Sequence, residues 1–509
     1  MNLAQTLHDA GRTYPSRPAL GFGDSLLYDY ATLAQRVAQI ASALQNEFRL
    51  QPGDRVAIVA SNVPEYVEAL YAIWHAGGIA VPTNAKLHGT ELAAILEHSG
   101  ARICFASSDL ASVIDTHAPR NIERIVVFNA RSYDAMLAAD AAPIVPRDGD
   151  DVAWLFYTTA HGQPKGAMLT HRNLRAMSRA TMSEVDRIGY GDPFLHVAPM
   201  GLGSGFYIVP YVEHFGVNVV PESGGFYPDE LFRLLETWPR SSMLTTPTMV
   251  NRMVAHPAPC NVENIRTIIC AGPPLSADDT TRAMERFGPR FAYVYGPGET
   301  ALTMTLLSRN DVAYTRDRRW RERIGSLGKP FKGMEIVAVD ADGTILAPGE
   351  TGDILCRGET VMAGYWQDPT ATAVALAGGY LQTGDIGSFD EQGYLHLTGR
   401  SNGMILSGGA SIHPREVEEA LLRHPGVREA AVIGRPDREW GEIVVAYVVG
   451  DANAGDLDLL CLNWIARYKR PRDYVFIPAL PKSEHGQVLD AELRRLDAER
   501  APAMAAVTS

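Results

Sequence analysis

No stretch of this sequence reaches the roughly 18 consecutive apolar residues of a membrane span. Cysteine is scarce as well. Cys104, Cys260, Cys270, Cys356 and Cys461 stand alone, with no CxxC spacing among them. That argues against a zinc ribbon or a disulfide scaffold, and the expectation is reduced thiols in a cytoplasmic protein. Cys270 and Cys356 lie in apolar runs, where a free thiol is usually buried. An excess of positive charge is also missing: 46 lysines and arginines face 59 aspartates and glutamates, a formal net charge of −13. Nucleic acid and anionic membrane are therefore poor partners, although one pocket can still be locally positive for a small anion. The opening MNLAQTLHDAGRTYP has no basic segment running into an apolar core, so no secretory leader is expected.

What is there is length and rhythm. A chain of 509 residues exceeds a single core and calls for a large body of more than one subdomain plus at least one further domain. The run QPGDRVAIVASNVPEYVEALYAIWHAGGIAVPTN reads as turn, buried strand (Val56–Val59), helix (Pro64–Ala76), Gly-Gly turn and buried strand (Ile79–Val81). The alternation continues through Leu92–Ser99, Arg102–Ala106 and Ile125–Phe128. It resumes after the polar linker Asp140–Asp151 with a strand at Val152–Tyr157 and runs on to Tyr295. Apolar strands alternating with helices indicate a parallel sheet covered by helices. Beyond about Ser326 the pattern changes to short strands and glycine turns. The expected fold class is α/β. A large N-terminal body, 1–401, would hold stacked mixed and parallel sheets with helices and a small β-rich subdomain at about 326–401. A small mobile α+β C-terminal domain, 402–509, would follow, and the turn Ser401-Asn402-Gly403 has the character of a hinge.

Three stretches carry chemistry-bearing residues. The first, Tyr157-Thr-Thr-Ala-His-Gly-Gln-Pro-Lys-Gly166, follows a buried strand. A loop with hydroxyls, glycine and one lysine can offer backbone N–H groups and a cation to phosphates, which makes Thr158, Thr159, His161 and Lys165 candidate ligands. It does not match GxxxxGK[ST], and a plain surface turn would also account for it. The second is Ala271-Gly-Pro-Pro-Leu-Ser276 followed by Tyr293-Val-Tyr-Gly-Pro-Gly-Glu-Thr300. Small residues let a flat ring approach the backbone, Tyr295 can stack on it, and Glu299 can hold Mg²⁺ near phosphate oxygens. The third is Tyr380–Pro414. Its Asp385 can accept from two ribose hydroxyls, and its Arg400 can donate to the same sugar or its phosphate.

In this order and spacing, the three stretches resemble the adenylate-forming superfamily of acyl-CoA synthetases, luciferases and peptide-synthetase adenylation domains. Gly364-Tyr-Trp, Gly408-Gly409, Pro414-Arg-Glu-Val-Glu418, Tyr468-Lys-Arg-Pro471 and Leu480-Pro-Lys482 add to the likeness, which spans about Leu7 to Leu496. Within the superfamily the chain is most similar to bacterial fatty- and aryl-acid CoA ligases. The resemblance implies two steps. A carboxylate attacks the ATP α-phosphate to give acyl-AMP and pyrophosphate; the C-terminal domain then rotates, and the CoA thiol attacks the mixed anhydride. It implies that Tyr295 flanks adenine with Gly272 and Pro273 beside it, and that Gly296, Glu299 and Thr300 belong to the same nucleotide site. Asp385 and Arg400 would hold the ribose, Asn402 would be the hinge, and Gly408 and Gly409 would line the pantetheine tunnel. Met200, Leu202, Phe206, Tyr207 and Met304 are candidate liners of an apolar acyl pocket, with chain, aryl and polycyclic acids all open. His196 reads as a packed core histidine.

The chain also departs from that pattern. The superfamily's phosphate loop resembles [ST]SG[ST]TGxPKG; here a glycine is replaced by Thr159 and hydroxyl residues by Ala160 and His161. Leu202 stands where an aromatic residue or histidine is usual. Near the C-terminus, the last lysine of a PKxxxGK element is Gln487, and no lysine occurs between it and Ser509. An ammonium about 4 Å from a developing phosphate charge contributes roughly 4 kcal/mol at an effective dielectric of about 20. That is on the order of 10³ in rate. The altered positions serve ATP's phosphates or the attacking carboxylate, whereas the adenosine and tunnel positions are kept. Three readings follow. The first is an acyl-adenylate:CoA acyltransferase, fed by a separate adenylating partner, with CoA and acyl-AMP as substrates. The second is a complete AMP-forming ligase that also uses Mg²⁺ and ATP. The third is a non-catalytic adenylate-binding relative. Monomer and homodimer both remain open.

Overall fold

The computed structural model describes the chain except for residues 161–162, 273–274, 401–402, 483–487 and 506–509. It also leaves out the side chains of Thr159, Ala160, Gln163, Arg400, Ala491 and residues 501–505. The chain divides into two compact units. One comprises Met1–Ala85, Leu92–Thr158 and Lys165–Ser401; the other comprises Lys86–Glu91, Thr159–Pro164 and Asn402–Ser509.

The first unit is built on three sheets. A six-stranded sheet runs Arg124–Val127, Ile103–Ala106, Arg55–Val59, Ile79–Pro82, Val152–Ala160, Gln163–Thr170, and this unit holds residues 152–158 and 165–170 of the last two strands. Arg55–Val59 pairs in parallel with both neighbours, with Val56 opposite Ala80 on one side and Ile103 on the other. Strands covered on both faces need apolar residues throughout, and Ile79–Pro82 and Ile103–Ala106 are buried at every position. A nine-stranded sheet runs Lys329–Pro330, Thr305–Leu307, Phe291–Tyr295, Ile265–Ala271, Ser241–Thr245, Pro193–Leu195, Val217–Val220, Pro18–Phe22, Ser25–Asp29. Ile265–Ala271 and Phe291–Tyr295 lie parallel with Ala271 opposite Val294. The turns that follow these strands therefore emerge side by side at the carboxyl edge, where open α/β sheets bind ligands. The third sheet is antiparallel: Met334–Val339, Gly352–Gly358, Leu381–Phe389, Leu395–Arg400.

The second unit has its own sheet, in the order Ala410–Ile412, Ile405–Ser407, Gly441–Gly450, Val427–Asp437, with Asp473–Phe476 parallel to Gly441–Gly450. Its core packs Ile405, Val417, Leu421, Val444, Val448 and Leu457.

This is the α/β architecture expected from the sequence. One element had no expectation attached to it, and another differs from expectation. Pro18–Phe22 is a strand that pairs in parallel with Val217–Val220, a partner far off in sequence with no local signature. The expected loop after Tyr157 is instead a continuation of its strand to Ala160, returning as Gln163–Thr170. The β-branched Thr158 and Thr159 favour that extension. Four cysteines, Cys270 and Cys356 among them, are buried and Cys260 is half-buried, all as free thiols. Among the described residues no helix is long and apolar enough to cross a membrane.

Candidate active site

The candidate phosphate-binding residues gather around strand Gln163–Thr170. Thr170 caps the helix His171–Ala180 in a capping box with Asn173, and the Asn173 amide also donates to the carbonyls of Glu359 and Val361. One strand end thus fixes both its own helix and the segment 359–366. That segment then runs beside the strand. Met168 N–H donates to Gly364 O at 2.8 Å, Ala363 N–H to Met168 O at 2.9 Å, and Trp366 N–H to Gly166 O at 2.8 Å. Its other edge meets the turn after Tyr295, through Met362 N–H to Glu299 O at 2.8 Å.

These backbone bonds bring four side chains together. Glu299, nearly buried, accepts on one oxygen from the Tyr365 hydroxyl at 2.9 Å and from Thr158 at 3.5 Å. The Lys165 ammonium lies over the Tyr365 ring, 5.2 Å from its centre. Burial, and then the Glu299 charge, push the Tyr365 phenol well above its ordinary pKa, so it stays a donor across the working range. Among the described residues no group of three or more His, Cys, Asp or Glu side chains is placed to hold a metal ion. A single carboxylate would fit Mg²⁺ only as an ion carried on nucleotide phosphates, and Glu299 is the candidate residue to hold it.

The turn holding Glu299 is tight and strained. Thr300 donates its hydroxyl to Pro297 O at 3.0 Å, and Gly296 sits beneath it. A methyl group at Gly298 would fall on the Phe156 ring, so only glycine fits there. Ala301 and Leu302 follow with φ of 48° and 61°, left-handed conformations that neither residue favours. Tyr295, at the end of its strand, donates its hydroxyl to the Asp385 carboxylate. Asp385 is 1% exposed and stands opposite Arg400 in the strand register. Gly272 opens the adjacent turn with φ 108°.

The candidate acyl residues cluster around the loop 196–207. Asn62 holds it: its amide donates to the carbonyls of His196 and Ala198, and its oxygen accepts from Met200 N–H at 2.8 Å. His196 is fully buried between Ser204 and Asn218, and burial pulls its pKa down to about 4, so it is neutral. Met200, Phe206 and Met304 are 0% exposed, with Phe206 lying between Trp154 and Phe156. Tyr207 stacks on Phe194. Leu202 is half-buried against the core, as is Leu302.

In the second unit, Gly408 and Gly409 form the two-residue turn between Ile405–Ser407 and Ala410–Ile412, with φ of 59° and 85°. Both central positions of such a hairpin demand positive φ, a structural reason for two glycines beside any role in a tunnel. Lys482 is paired with Glu429 at 2.7 Å and is half-exposed. Pro273, His161, Asn402 and Gln487 lie outside the described residues, as do the side chains of Thr159 and Arg400. Tyr365 and the strained pair Ala301-Leu302 were not singled out in the sequence. The Gly364-Tyr-Trp motif was the signal available for Tyr365.

The model for AMP-binding enzymes matches residues 7–366, and that for the AMP-binding enzyme C-terminal domain matches 416–487. This chain belongs to the AMP-binding enzyme family. The family member is similar to a feruloyl-CoA synthase of an Amycolatopsis species, 35% identical over 497 residues, covering 95% of this chain and 96% of that protein. Among solved structures it is similar to the amide bond synthetase McbA of Marinactinospora thermotolerans (TM-score 0.86, 26% identity, 97% of this chain and 99% of that one). It is also similar to a double mutant of o-succinylbenzoate CoA synthetase from Bacillus subtilis bound with a product analogue (TM-score 0.86, 28% identity, 96% and 98%).

Proposed function

We propose that this chain, an enzyme of the acyl-CoA ligase family, transfers the acyl group of an acyl-adenylate to CoA, its own adenylation step being lost or weakened. Gln487 carries this reading. It stands where the resemblance places the lysine that meets the substrate carboxylate and the α-phosphate, and an amide cannot supply that charge. The same missing lysine is a resemblance to the non-adenylating acyl-CoA ligase of platensimycin and platencin biosynthesis. Tyr295 and Asp385 are kept for the adenosine, and Asn402 serves as the hinge between a body 1–401 and a mobile domain 402–509. The thiol step asks less of the protein, because the anhydride is already activated and positioning supplies much of the rate. Substrates are then CoA and an acyl-adenylate with an apolar acyl group, delivered by a separate adenylating enzyme.

A second reading is favoured by the grouping of Lys165, Thr158, Glu299 and Tyr365. A complete AMP-forming ligase would use that grouping for Mg²⁺·ATP. Assaying each half-reaction alone separates the two. The first reading expects thioester from synthetic acyl-AMP and CoA, with little pyrophosphate from acid and ATP. Equal rates in both halves would overturn it. An acyl-AMP analogue that binds without turnover in either half would point to a binding protein.

A further inference from the structure

We infer that Tyr365 is a positioning residue for the phosphate end of this site: its hydroxyl clamps Glu299 while its ring face carries Lys165, holding acid and ammonium in separate stations. The inference deepens the second reading, the complete AMP-forming ligase, and rests on it for the identity of the ligand, Mg²⁺·ATP.

Both partners meet one rigid side chain. The hydroxyl reaches Glu299 at 2.9 Å, and the ring centre lies 5.2 Å from Lys165 Nζ. A cation over an aromatic face is attracted without being neutralised, so the ammonium keeps its charge for an incoming anion. Thr158 bonds the same Glu299 oxygen that Tyr365 does, which leaves the other oxygen for a cation on that anion. Tyr365 is itself pinned from both sides. Its N–H donates to Thr372 at 2.8 Å, and it forms an antiparallel bridge with Ala167, two residues beyond Lys165. Trp366 N–H to Gly166 O and Met362 N–H to Glu299 O fasten the flanking residues to the same two partners. The strand bearing Lys165 and the turn bearing Glu299 are thus referenced to each other through Tyr365. Without it, a carboxylate and an ammonium at neighbouring places would pair and quench each other.

Binding measurements test this without asking whether adenylation occurs. Tyr365→Phe keeps the ring and the backbone bridge but removes the clamp. Calorimetric titration with ATP should then need about tenfold more Mg²⁺ for half-maximal binding, while AMP binding without metal stays unchanged, since a hydrogen bond to a charged group is worth about that factor. Tyr365→Leu removes both functions and lets Glu299 pair with Lys165, so affinity for ATP should fall further. In titrations without Mg²⁺, where Glu299 has no metal to hold, adding Glu299→Gln to Tyr365→Leu should recover part of that second loss, because glutamine cannot pair with the lysine. A merely structural tyrosine predicts no such recovery. An unchanged Mg²⁺ requirement in Tyr365→Phe, or a double variant no better than Tyr365→Leu, overturns the inference. If the unaltered chain binds AMP but no ATP with or without Mg²⁺, the inference fails while the acyl-transfer reading stands. If the variants behave as stated while acyl-AMP gives no thioester, Tyr365 stands and the acyl-transfer reading fails.

Discussion

The hydroxyl of Tyr295 donates to the carboxylate of Asp385, ninety residues further along the chain. One group ends a parallel strand of the nine-stranded sheet; the other sits in the antiparallel sheet of the β-rich segment. The bond joins the residue assigned to adenine with the residue assigned to ribose. It also orients a buried carboxylate.

Asp385→Asn removes the charge that a pair of ribose hydroxyls would meet. Affinity for AMP is expected to fall by about 1.5–3 kcal/mol, the usual worth of a hydrogen bond to a charged group. Titration calorimetry measures it, and an unchanged affinity would remove Asp385 from the nucleotide site.

Gln487→Lys restores an ammonium where the family resemblance places one. Pyrophosphate release from acid and ATP should rise by up to about 10³, with thioester formation from acyl-AMP little altered. A variant no faster than the parent in the first assay sinks the role given to position 487.

Acid should destabilise the first unit through its buried imidazoles. Burial holds His196 at about 4 and His171 at about 3, both below the ordinary 6.5. Between those values the unfolded chain binds more protons than the native one. The stability is complete above pH 6.5 and is lost as pH falls from 6.5 towards 4 for His196 and towards 3 for His171. For His196 alone the loss is about 3 kcal/mol by pH 4. Denaturant unfolding between pH 8 and 4 measures this slope, and His196→Gln should flatten it. An equally steep slope in that variant contradicts the assignment.

Gly298→Ala would set a methyl group on the Phe156 ring. Overpacking of this kind costs about 1–3 kcal/mol and should displace the Glu299 turn. A variant with the stability and nucleotide affinity of the parent would show that the ring can move aside.

Much of the fold was legible because its parallel strands are buried on both faces. Val56–Val59 and Ile79–Val81 read as short apolar runs between glycine turns, and the structure extends each by one residue. Pro18–Phe22 was illegible because its partner, Val217–Val220, is distant in sequence. The extension of the strand past Tyr157 was hidden because the glycine, proline and hydroxyl residues of that stretch signal a turn, while the β-branched Thr158 and Thr159 favour a strand. At the site, the residue types supported only an expectation of phosphate and sugar chemistry. That Glu299 is held by Tyr365, sixty-six residues away, is a matter of packing between segments, for which the sequence offered only a short motif.

Ala301 and Leu302, the two left-handed residues after Glu299, bear on how this protein would be altered for heat resistance. Ala301→Gly would relieve about 1 kcal/mol of conformational strain and looks like an obvious stabilising change. The same change would loosen the turn that aims Glu299. Directed evolution selecting on melting temperature alone should therefore find position 301 early and lose function there, whereas selection that also scores turnover should leave it untouched.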